Sequence, residues 1–91
     1  MEITNMKTFN DLEFKPHSNM NGIMSRITFE NGYGASVVKG EYTYGGDADL
    51  YELAVLDSNG DLTYDTPITN DVLGHLSEDD VTKVLEQIQN L

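Results

Sequence analysis

The chain has 91 residues, with 16 Asp and Glu against 5 Lys and Arg, a formal net charge of -11, and no cysteine. That length makes one domain with a modest core. The missing thiols exclude disulfides and cysteine chemistry, and the charge opposes direct binding to a phosphate backbone.

Residues Met1 to Lys7 lack the basic region and apolar run of a signal peptide. No later stretch approaches the roughly 20 apolar residues that span a bilayer. The expected location is the cytoplasm, with no membrane partner. Five Tyr and three Phe argue against a disordered acidic tail.

Residues 1–22 read as an irregular N-terminal segment, and residues 23–91 as a compact domain. Phe9, Leu12 and Phe14 predict a short edge strand, interrupted at Pro16. Lys15 to Gly22 reads as a loop. Ile23 to Glu30 alternates as a strand, with Ile23, Ser25, Ile27 and Phe29 on one side. Asn31-Gly32 predicts a two-residue hairpin turn, which sets Glu30 opposite Tyr33, Phe29 opposite Gly34 and Arg26 opposite Val37. That register groups Val38 with Ile27 and Phe29, and leaves Tyr33, Ala35 and Val37 on the other face.

Gly40 to Asp49 is rich in Gly and Tyr and reads as a loop, with strand residues around Tyr42 and Tyr44. Leu50 to Leu56 is the most apolar strand and is expected to be central. Asp57 to Gly60 forms a tight turn, Leu62 to Tyr64 returns, and Pro67 ends that strand. Asn70 to Leu73 reads as a single helical turn stopped at Gly74. Ser77 then caps a helix, with Glu78, Asp79 and Asp80 in its first turn and Asp80 placed as the reciprocal capping residue. Val81, Val84, Leu85, Ile88 and Leu91 recur on one helical face. The predicted fold is α+β: a small antiparallel sheet of about four strands, in two β-hairpins, with one C-terminal helix packed on a face.

Four strings carry a resemblance: Asn31 to Val38, Tyr44-Gly45-Gly46, Leu50 to Leu56, and Tyr64 to Thr69. Together they resemble a family of small bacteriophage- and prophage-encoded proteins without an assigned biochemical role. The resemblance spans about Phe14 to the C-terminus. It implies a viral origin and expression in bacterial cytoplasm, and it supplies no catalytic residues.

Candidate sites are few. Asp57, Asn59 and Asp61 alternate like the opening of a calcium loop, with Asp65 beyond them. Gly60, however, falls at the fourth position, and Leu62 and Ile68 sit at the sixth and twelfth, where that loop needs Gly and Glu, so a hairpin turn accounts for them. His17 and His75 have no partner ligands nearby in sequence. Ser18 and Ser77 lack a nucleophile motif, and Gly45-Gly46 runs into Asp47, which repels phosphate. No metal, cofactor or catalytic group is expected, and the chain is not expected to be an enzyme.

The candidate binding surface is Glu41, Tyr42, Tyr44, Asp47, Asp49, Tyr51 and Glu52, in which aromatic rings are interleaved with carboxylates. Its structural reading is sheet packing for some of the rings. Glu78 to Asp80 is a second acidic cluster, already explained by helix electrostatics. The resulting expectation is a non-catalytic phage accessory protein that binds a basic protein surface, such as a host nucleic-acid-binding protein, by mimicking nucleic-acid charge. The alternative is a homodimer or larger homo-oligomer, or a minor virion partner, acting in assembly.

Overall fold

Strands that alternate apolar and polar side chains need something to cover their apolar face, and a twelve-residue helix with one apolar stripe needs a surface to dock on. A computed structural model shows each meeting the other's requirement; it describes residues 6–16, 21–40, 49–69 and 71–91. Strands β1 (Lys15–Pro16), β2 (Gly22–Thr28), β3 (Gly34–Gly40), β4 (Tyr51–Leu56) and β5 (Leu73–Leu76) form one antiparallel sheet in the order β1-β2-β3-β4-β5. Helix α1 (Glu78–Gln89) lies across one face. The α+β architecture is the expected one, with five strands rather than four.

The β2–β3 register differs from the expected one by a residue. Thr28 pairs with Gly34 and Arg26 with Ser36. Gly32 N–H donates to the Phe29 carbonyl at 3.0 Å, Phe29 N–H donates to the Tyr33 carbonyl at 2.8 Å, and Gly32 has φ 93°. Three residues, Glu30 to Gly32, therefore make the loop, with glycine in the left-handed position. Asn31 supplies the reason. Its side-chain amide donates to the Ile88 carbonyl at 2.8 Å, at the end of α1, while its Oδ1 accepts Tyr33 N–H at 3.1 Å. The one-residue change moves β3 over. Ala35 and Val37 now share a face with Ile27 and Phe29, and Val38 faces away.

That inner face carries Ala35, Val37, Tyr51, Leu53 and Val55, all buried, against Val81, Val84, Leu85 and Ile88 of α1. The helix starts as its sequence requires. Asp80 N–H donates to Ser77 Oγ at 3.1 Å, and Ser77 N–H donates to the Asp80 carboxylate at 3.1 Å. Asp80 closes the capping box in place of the usual Glu.

Three further expectations change. Phe9–Asp11 is a 3-10 turn rather than an edge strand, and the edge strand is β1, inside the expected loop. Phe9, Leu12 and Phe14 pack against the core. Polar tethers hold the turn to α1: Phe9 N–H donates to Thr82 Oγ1 at 3.0 Å, and the Gln89 amide exchanges hydrogen bonds with the Lys7 backbone at 2.8 and 2.9 Å.

After β4, the return is the single bridge Leu56↔Leu62 rather than a strand to Tyr64. β5 takes the rest of that edge, so Leu73 is extended, not helical; Asn70 lies outside the described residues. Gly74 and His75 oppose the single residue Glu52, a bulge in which His75 takes φ 57°. The middle strand is β3, and β4 is paired on both sides.

Two substitutions test this packing. Leu85 is fully buried, so Leu85→Ala is expected to lower unfolding free energy by about 2–5 kcal/mol. A Cβ at Gly34 would collide with the Ile27 carbonyl oxygen, so Gly34→Ala is also expected to destabilise, by about 1–3 kcal/mol. Urea unfolding measures both.

Candidate functional site: an acidic end and a cationic groove

Alternation along β4 separates the described members of the predicted surface. Tyr51 points inward and Glu52 outward, as neighbours in a strand must. Tyr51 is only 6% exposed. Its ring lies 5.1 Å from Phe9 in an edge-on arrangement and 5.6 Å from Phe14. Tyr51 is therefore a core residue and not a docking residue; its inward parity with Leu53 and Val55 is the signal that identifies it. Lys39, beside it on the inner face, places its ammonium 4.8 Å from the Tyr51 ring centre. The same ammonium donates to Asp49 Oδ1 at 2.8 Å, and this bond holds Lys39 above its ordinary pKa. The Asp49 side chain is 87% exposed, so the pair adds at most about 1 kcal/mol. Glu41, Tyr42, Tyr44 and Asp47 lie outside the described residues, as do His17, Ser18 and Gly45-Gly46.

No described Asp or Glu is buried. Register sorts many of them to the two ends of the sheet. Tyr51 pairs with Leu76, so Asp49, just before β4, stands at the same end as Glu78 and Asp79, just after β5. Gly40, the last residue of β3, belongs to this end too. Asp57 and Asp61 stand at the opposite end, where the Asp57 carboxylate accepts N–H groups from Asn59 at 2.9 Å and Asp61 at 3.1 Å. These bonds form a turn, and Gly60 adopts φ 81° within it. Among the described residues, no group of three His, Cys, Asp or Glu side chains could hold a metal ion. Also among them, no helix is long and apolar enough to cross a membrane.

The fold also assembles something the sequence does not display. Lys7, Lys15 and Arg26 line one groove between the N-terminal segment and β2. They are far apart in the chain and share no periodicity; only the crossing of residues 7–14 from α1 to the sheet edge brings them together.

The capping box gives this end a pH signature. The Ser77 backbone N–H, with help from its hydroxyl, holds the Asp80 carboxyl below the usual carboxylate range. A lowered folded pKa stabilises fully above the ordinary aspartate value of about 3.9 and is lost as pH falls through the folded value. The Tm difference between wild type and Asp80→Asn is therefore expected to be widest above about pH 5 and to close at lower pH. Thermal melts across that range measure it.

Comparison of the chain with protein-family models, curated proteins and solved structures finds no match.

Proposed function

We propose that the chain is a non-catalytic binding protein whose acidic end docks on a positively charged macromolecule, and that it acts for a bacteriophage inside a bacterial host. The observation that carries this reading is the complete exclusion of the described carboxylates from the core of a chain with net charge -11. Charges left at the surface are available to steer and orient a basic partner. The end bearing Asp49, Glu78 and Asp79 is the stronger candidate of the two: Asp49 is paired with Lys39 there, but Glu78 and Asp79 are exposed and in no ion pair among the described residues, whereas Asp57 at the other end is committed to its own turn. The phage resemblance directs the search to bacterial proteins. A partner whose basic surface normally holds nucleic acid would make the interaction one of charge mimicry.

Capture of partners from infected bacterial lysate, then binding of the purified partner, tests this. Binding is expected to weaken as ionic strength rises from about 50 mM to about 0.5 M and to compete with DNA. Neutralising Asp49, Glu78 and Asp79 together is expected to weaken it roughly tenfold, the sum of three exposed contacts of about 0.2–1 kcal/mol each. Neutralising Asp61 and Asp65 is expected to leave it unchanged. A partner indifferent to salt and to all of these changes removes the proposal.

A second reading, assembly as a homo-oligomer or minor virion component, draws on Leu62 and Tyr64, which are 49% and 45% exposed. It requires mass to rise with concentration in sedimentation equilibrium, and Leu62→Ser to suppress that rise.

A further inference from the structure

The N-terminal segment and β2 separate immediately beside their two paired positions. Lys15 pairs with Met24 and Pro16 with Ile23. Among the described residues, no strand pairs the same edge of β2 from Ser25 to Thr28. The chain before Lys15 is instead held to α1 by the Phe9–Thr82 and Lys7–Gln89 hydrogen bonds. The resulting fork encloses a groove of about 620 Å³, within the roughly 300–1,000 Å³ typical of ligand sites.

Its charge runs against that of the molecule. Lys7, Lys15 and Arg26 are three of the five Lys and Arg in the chain, and all three line it. None is in ion-pair contact with a carboxylate among the described residues, whereas Lys39 is. Arg26 donates one N–H to the Gly60 carbonyl at 3.2 Å, which leaves most of its five donors for a ligand. Asp11 and Glu13 also border the groove, so its three cations face two carboxylates and an excess of one positive charge remains; the Asp11 carboxylate accepts Thr8 N–H at 2.8 Å, on the side of its own turn. Leu12, Met24 and Ile27 supply apolar wall.

We propose that this groove receives an extended peptide in which carboxylates alternate with apolar residues, added as a further strand along Ser25–Thr28. An open edge offers backbone N–H and C=O groups at strand spacing, which a peptide matches and a small anion does not. Successive side chains of the added strand point to opposite faces. One set meets Arg26 on the outer face; the other meets Ile27 on the inner face. The groove therefore selects acidic residues for the first set and apolar residues for the second. A second copy of this chain, offering its own β2 edge, would bring like cations together. Asp11 and Glu13 act at the same range as the groove cations but are outnumbered by them, and repulsion from carboxylates elsewhere is screened beyond about 8 Å at physiological ionic strength. The site is separate from the acidic end and does not depend on its role.

A fluorescent peptide of alternating Glu and Val is the probe, with a Lys-Val peptide as control, at about 0.15 M ionic strength. The Glu-Val peptide is expected to bind saturably and to slow amide exchange at Arg26 and Thr28, whose N–H groups face away from β3, and the control to do neither. Arg26→Gln is expected to weaken binding roughly fivefold, as for loss of an exposed ion pair. Lys83→Gln, on the exposed face of α1, is expected to have no effect. Absence of binding, equal loss in both variants, or exchange protection at β5 instead of β2 overturns the proposal. Displacement of the peptide by succinate at equal concentration also overturns it, since the groove would then be a small-anion site. The exchange measurement uses the wild-type chain and stands even where a variant unfolds.

Discussion

The register of β2 against β3 is the constraint on which the rest of the molecule depends. A sheet covered on one side by a single helix can bury only one parity of each strand. Ala35 and Val37 reach that side because Glu30, Asn31 and Gly32 form a three-residue loop, and the loop is tied to the helix by the bond from Asn31 to the Ile88 carbonyl. A two-residue turn would face Ala35 and Val37 away from Ile27 and Phe29. It would set Gly34, Ser36 and Val38 on the face shared by Leu53 and Val55 in place of Ala35 and Val37, and so change the surface on which α1 docks. One polar contact at the rim thus agrees with the apolar pattern in the middle. Such agreement between local and long-range preferences is what gives a short chain a single packing.

Closure of the core from the N-terminal side depends on polar groups as well. Phe9 and Phe14 complete an aromatic cluster around Tyr51, but their approach is guided by Thr82 and Gln89, residues on the flank of α1. These tethers keep residues 7–14 away from β2 and so open the groove beside it. A continuous β1 would have sealed that edge and buried Ser25–Thr28 beneath another strand. The same segment therefore contributes to stability through its rings and shapes a surface through the path it is forced to take.

The legible parts of the sequence were those where one local rule acts alone. Ser77 to Asp80 announces a helix start, and Val81, Val84, Leu85 and Ile88 announce its buried stripe, both of which hold in the structure; Leu91, the fifth member expected on that stripe, lies beyond the helix end and is exposed. The alternation of residues 23–28 and the apolar run to Leu56 locate β2 and β4. Misreadings arise where two solutions share the same residues. Asn-Gly serves two-residue and three-residue loops alike, and the tie to Ile88 that decides between them spans most of the chain. Gly74 and His75 resemble the end of a helical turn, yet they form a bulge because the ladder to β4 continues past them. Tyr51 looks like part of an acidic aromatic surface when read with its sequence neighbours. It is buried because Phe9 and Phe14 arrive from a distant segment. Nothing local in Lys7, Lys15 or Arg26 marks them as a group.

Charge is segregated by the same topology. Carboxylates accumulate where strands and helix begin and end, positions exposed by geometry and favourable to Asp and Glu through turn and helix-start hydrogen bonding. Asp57 and Asp80 accept backbone N–H groups there. The cations Lys15 and Arg26, by contrast, lie along the sides of strands at the open edge. A distant positive body senses the sum and is attracted; a chain segment within a screening length of β2 senses the local excess of cations and meets the opposite sign. Net charge therefore governs which molecules approach this protein, while the arrangement of a few side chains governs which of them can stay against a particular edge.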